Sequence, residues 1–120
     1  MSNPPADLPG KMLNLDIPNR VELYRSYIGF LKYGGLFAPN ADPNLAMGDE
    51  VLLIAKLPDL REPKYLRTTV AWINYTTGNN GQAKGVGLAF GDDEVSIDTK
   101  KLIEDLLPGA LLNERPTYTL

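Results

Sequence analysis

The chain has 120 residues, enough for one domain and one core, with 43% hydrophobic residues and a net charge of -3. That charge argues against a nucleic-acid binder, which presents a basic face to phosphates. With no cysteine and no histidine, disulfides and thiolate metal sites are excluded, as are the commonest general base and metal ligand.

Residues 1–10 hold three prolines and a glycine and are expected to form a loose arm. They have neither the basic region nor the apolar run of a secretory signal, and no stretch approaches the roughly 18 apolar residues of a membrane span. A soluble, cytoplasmic chain is expected. In residues 11–17, Leu13, Leu15 and Ile17 alternate with Asn14 and Asp16, the pattern of a half-buried strand. Pro18-Asn19 breaks it, and Asn19 suits a helix N-cap. Val21, Tyr24, Ile28 and Leu31 then recur at helical spacing, predicting a short helix or helical turn within 20–31. Gly34-Gly35 ends it and opens a strand over 36–38.

A Pro/Asn/Asp-rich loop follows, and residues 51–57 form a strand apolar on both faces. Val51, Leu53, Ala55 and Leu57 can fill an interior. Leu52 and Ile54 are left outside, to be covered by a partner or by the chain's own C-terminal helix. Residues 65–75 read as the next strand, 78–81 as a hairpin loop and 85–90 as the return strand, with Val86, Leu88 and Phe90 on one face. Strict alternation sets Val70, Trp72 and Asn74 on one face and Ala71, Ile73 and Tyr75 on the other. Both faces have apolar claims, so the sense of Trp72 is open. Asp92-Asp93-Glu94 lacks calcium-loop spacing and reads as a turn ahead of a helix. Asp98 is the expected cap of that helix, whose stripe is Leu102, Ile103, Leu106 and Leu107. Pro108-Gly109 stops it, Leu111-Leu112 can add one turn, and 113–120 reads as an extended tail. The whole predicts a mainly β fold: a small antiparallel barrel of about six strands with a short N-terminal helical segment and a C-terminal helix. The barrel domain spans 11–112, between the arm and the tail.

Four segments carry a likeness in order and spacing: Gly34-Gly35-Leu36-Phe37, Met47-Gly48-Asp49-Glu50-Val51, Val70-Ala71-Trp72-Ile73 and Gly85-Val86-Gly87-Leu88-Ala89-Phe90. Together they resemble the PilZ domain family. The tail Asn113-Glu114-Arg115-Pro116-Thr117 is similar to that of the family's type IV pilus assembly form, which lacks the cyclic di-GMP motif. The family's ligand-binding form uses Arg-x-x-x-Arg and Asp/Asn-x-Ser-x-x-Gly. Here Arg20 and Arg25 are one residue too far apart. Phe30 and Lys32 stand where the second motif has its acid or amide and its serine, and only Gly35 matches.

The resemblance therefore implies a non-catalytic adaptor without a cofactor, metal or cyclic di-GMP of its own. It would contact the pilus-extension ATPase (PilB) and a FimX-like, degenerate EAL-domain regulator. The expected partner-binding residues are Tyr24, Trp72, Glu114, Arg115, Pro116, Thr117 and Tyr118, since aromatic residues with a polar tip suit interfaces and the tail suits a linear contact motif. Tyr27 has equal claims on core and interface. The alternative is a cyclic di-GMP receptor with a divergent site, in which Arg20 and Arg25 form a displaced clamp rather than a solvated helix face. Of the serines Ser2, Ser26 and Ser96, none sits in a nucleophile-elbow pattern, so an enzyme is not expected.

Overall fold

The computed structural model describes residues 11–39, 44–74 and 84–107. The expected arm 1–10, the 78–81 hairpin loop, the turn at Leu111-Leu112 and the tail 113–120 lie outside these residues.

Seven elements follow in chain order: β1 (Lys11–Asp16), α1 (Arg20–Ser26), β2 (Gly35–Pro39), β3 (Glu50–Lys56), β4 (Lys64–Asn74), β5 (Gly85–Phe90) and α2 (Glu94–Leu106). The described strands make one sheet in the order β1-β3-β4-β5-β2, curled into a half-barrel. The mainly β class with two helices is as expected, with five described strands against the expected six or so. The sheet is not purely antiparallel, because β1 pairs with β3 in parallel, Leu13 opposite Leu53. Parallel neighbours need a long crossover, and α1, β2 and the loop after it provide one.

Register sorts the side chains. Val51, Leu53 and Ala55 of β3 share the enclosed face with Leu66, Thr68 and Val70 of β4 and with Leu88 and Phe90 of β5. All are buried, as predicted for β3 and β5. The one hydroxyl among them, Thr68 Oγ1, donates to the carbonyl of Val51 at 2.8 Å, so no polar group is stranded there. Leu23 of α1 and Ile103 and Leu107 at the end of α2 belong to the same core.

α2 therefore closes the enclosed face and is not the cover for Leu52 and Ile54, which stay half-buried on the opposite face. Its cap also differs from expectation. Asp93, not Asp98, is the N-cap: its carboxylate accepts from the Ser96 amide at 3.1 Å and from the Ser96 hydroxyl at 2.8 Å. Asp98 lies inside the helix, exposed. The apolar stripe predicts the C-terminal turns well, but the first turns bury the small polar residues Ser96 and Thr99, which hid the true start.

α1 is shorter than the 20–31 pattern suggests. Asn19 caps it as expected, its side chain accepting from the Glu22 amide at 2.9 Å. The helix stops after Ser26 because the next residues turn to pair with a strand. Tyr27 is extended and bridges Leu36, and the Ile28 amide donates to the Gly35 carbonyl at 2.9 Å. The buried face of α1 is Leu23 and Ser26, while Val21 is 48% exposed.

Strict alternation along β4 also fails at one point. Val70 lies opposite Leu88, but Trp72 lies opposite Gly87, so Ala71 is an extra residue. This β-bulge turns Trp72 to the face opposite Val70: Val70 is 1% exposed and Trp72 38%.

Candidate partner-binding surface

The Gly34-Gly35 step joins the chain after α1 to β2. Gly34 has φ +81°, a left-handed conformation that glycine adopts without strain. A side chain on Gly35 would meet the Leu88 carbonyl oxygen at 2.5 Å and Leu31 at 2.8 Å, so β2 reaches β5 only because nothing intervenes. The glycines thus serve the backbone path.

The space beside Gly34 is taken by the protein itself. The Tyr27 ring and the Lys100 stem lie at 3.3 Å from where a Gly34 β-carbon would stand. Tyr27 is buried, and its hydroxyl donates to Glu104 Oε2 at 2.7 Å. The same oxygen accepts from Lys100 Nζ at 3.0 Å, one helical turn away on α2. Burial first, then the bond to Glu104, holds the Tyr27 hydroxyl well above the usual tyrosine range. The bonds from Tyr27 and then Lys100 keep Glu104 below the ordinary carboxylate range. This three-residue chain pins α2 to the end of α1 and the glycine step. The Lys100–Glu104 spacing is legible on a helix. The Tyr27–Glu104 bond spans 77 positions and has no local signal.

Both arginines weighed as a clamp are paired with carboxylates. Arg20 Nη2 lies 2.9 Å from Asp59 Oδ2 in the β3–β4 connection, and Arg25 Nη1 lies 3.5 Å from Glu22 Oε1. Arg20 and Asp59 are 62% and 58% exposed in their side chains, so this is a solvated ion pair worth at most about 1 kcal/mol. Phe30 is 62% exposed and offers no polar group, and Lys32 lies over the Tyr33 ring, 5.3 Å from its centre. Of Asp92-Asp93-Glu94, Asp93 caps α2 and Glu94 opens its first turn. Among the described residues no group of three acidic side chains is placed to hold a metal, and no helix is long and apolar enough to cross a membrane.

The expected partner-binding residues fall in different settings. Tyr24 is half-buried on α1 and packs against the core. Trp72 is exposed on the far face of the sheet, over Gly87: a β-carbon there would meet Trp72 Cβ at 2.9 Å and Ile28 Cδ1 at 3.0 Å. Ile28 follows α1 by two positions, so the segment leaving Tyr24 leads to the space beside Gly87 that Trp72 also borders. Glu114, Arg115, Pro116, Thr117 and Tyr118 lie outside the described residues.

The chain that folds into this half-barrel is matched by a family model over residues 9–108: PilZ domain. The chain belongs to the PilZ domain family. No curated protein matches it significantly. PilZ domains are generally non-catalytic modules of binding and protein interaction in cyclic di-GMP signalling. Within this PilZ domain, the segment 30–35 that stands in place of the family's second ligand motif holds an exposed Phe30, a Lys32 stacked on its neighbour, and a Gly34 closed over by Tyr27 and Lys100.

Proposed function

We propose that this PilZ domain is a non-catalytic, cytoplasmic adaptor of type IV pilus assembly and twitching motility. It works through contacts with the extension ATPase PilB and a FimX-like EAL-domain regulator, and does not itself hold cyclic di-GMP. The observation that carries this reading is the filling of the Gly34 site by the chain's own Tyr27 and Lys100. The pairing of Arg20 and Arg25 with Asp59 and Glu22 supports it, since a phosphate clamp needs guanidiniums free to fork onto the ligand.

Trp72 supports the adaptor side. It is large, part-exposed and seated closely over Gly87, the qualities of an interface hot spot. Tyr24 and the tail residues Glu114 to Tyr118 complete the proposed contact set.

The test is capture of the extension ATPase by the full chain. Trp72→Ala, Tyr24→Ala and removal of 114–120 should each weaken capture by tenfold or more, about 1.4 kcal/mol, and impair twitching motility. Unchanged capture in all three sinks the proposed contact set. Calorimetry with cyclic di-GMP decides the receptor alternative: micromolar binding abolished by Arg20→Ala or Arg25→Ala would replace the adaptor reading with it.

A further inference from the structure

The sheet face that α2 leaves uncovered carries an apolar strip of its own. Register puts Met12 beside Leu52 in one cross-strand row, and Asn14, Ile54 and Tyr65 in the next. Met12 is 64% exposed and Tyr65 58%, and Leu52 and Ile54 are half-buried. A shallow groove of about 240 Å³ adjoins them, lined by Asn14, Leu15, Asp16, Ile54, Lys56 and Pro63. Ile54 and Pro63 supply its apolar side chains, since Leu15, opposite Ala55, turns its own side chain to the enclosed face. Asp16 and Lys56, partners across β1 and β3, set one charge of each sign at its rim. Exposed apolar side chains in adjoining rows with charges at the rim suit a docked extended segment.

The sequence of residues 113–120 has a matching pattern. In residues 113–120, Pro116, Tyr118 and Leu120 alternate with Thr117 and Thr119, so in extended form they share one apolar edge. Glu114 and Arg115 carry the charges opposite in sign to Lys56 and Asp16. Beyond Leu107, where the described chain ends, 13 residues remain, a reach of up to about 43 Å when extended. We propose that the tail 113–120 docks on this strip in the free protein, with Pro116, Tyr118 and Leu120 laid against Leu52, Ile54 and Tyr65. A partner that takes the tail must first lift it off, so the strip tunes the tail's availability. The contact belongs to the isolated chain, and its test stands apart from the adaptor reading.

The absence of cysteine makes that test direct. Thr119→Cys gives a single attachment point for a nitroxide, whose effect is read on the amide signals of the full-length chain. Loss of intensity is expected at residues 52, 54 and 65. It should be abolished by Ile54→Glu, and equally by Tyr118→Ser with Leu120→Ser, a change confined to the tail. Loss confined to other residues, or none anywhere, overturns the proposal. So does loss at the strip when nitroxide-bearing chains are mixed with separate isotope-labelled chains that carry no nitroxide, because the occupant is then a second copy.

Discussion

Gly87 shows how much can turn on one missing side chain. Trp72 Cβ and Ile28 Cδ1 close to 2.9 and 3.0 Å of where its β-carbon would be. Gly87→Ala must displace one or both, and such overpacking costs about 1–3 kcal/mol. Denaturant unfolding should show that loss, and an unchanged midpoint would mean the Trp72 packing is softer than these distances require. Tyr27 offers a second residue-scale prediction, in the pH dependence of stability. Its folded pKa is raised, so it contributes stability that is complete below the ordinary tyrosine pKa and fades as pH climbs through the alkaline range. Glu104 is depressed, so its contribution is present above the ordinary carboxylate pKa and fades as pH falls through the acid range. Tyr27→Phe removes the alkaline titration and weakens the acid one. It should cost about 1–2 kcal/mol near neutrality and flatten the alkaline limb of a stability profile. An alkaline limb identical to that of the unsubstituted chain would separate Tyr27 from that behaviour.

At the scale of elements, α2 discriminates between two caps. Asp98 satisfies the periodic pattern, but the Asp93 side chain holds the free Ser96 amide. Asp93→Ala should therefore destabilise by about 1 kcal/mol, and Asp98→Ala should stay within about 0.5 kcal/mol. Thermal unfolding of the two variants side by side checks the assignment, which is wrong if their order is reversed. The Asp-x-x-Ser spacing is a local signal for this cap that an apolar stripe does not register. α1 is cut short for another reason. Its pattern of Val21, Tyr24, Ile28 and Leu31 is a fair helical stripe, but from Tyr27 onward pairing with β2 outcompetes further helical turns. A strand whose partner β5 lies about fifty positions further on, Gly35 opposite Ala89 and Pro39 opposite Gly85, supplies that alternative, and no window of the local sequence contains it.

For the molecule as a whole, the two faces of the sheet have different duties, and substitutions should separate them. Phe37 is fully buried and Trp72 38% exposed, though both side chains point to the far face. Phe37→Ala should cost about 3–5 kcal/mol of stability. Trp72→Ala should cost clearly less while lowering partner capture. A stability loss for Trp72→Ala equal to that of Phe37→Ala would make Trp72 a core residue and remove it from the proposed interface.

What the chain's own letters determine is the local chemistry of this PilZ domain: the period-two apolar runs of β3 and β5, the Asn19 cap, the glycine step, and a segment 30–35 without the family's ligand side chains. These signals depend on neighbours a few positions apart, so a single window holds them. Only the tertiary structure decided the parallel placement of β1, the bulge that turns Trp72 outward, the face that α2 closes, and the Tyr27–Glu104–Lys100 chain beside Gly34. Each depends on groups brought together across tens of positions, where the deciding energies are those of packing and of satisfying buried polar atoms rather than of local preference.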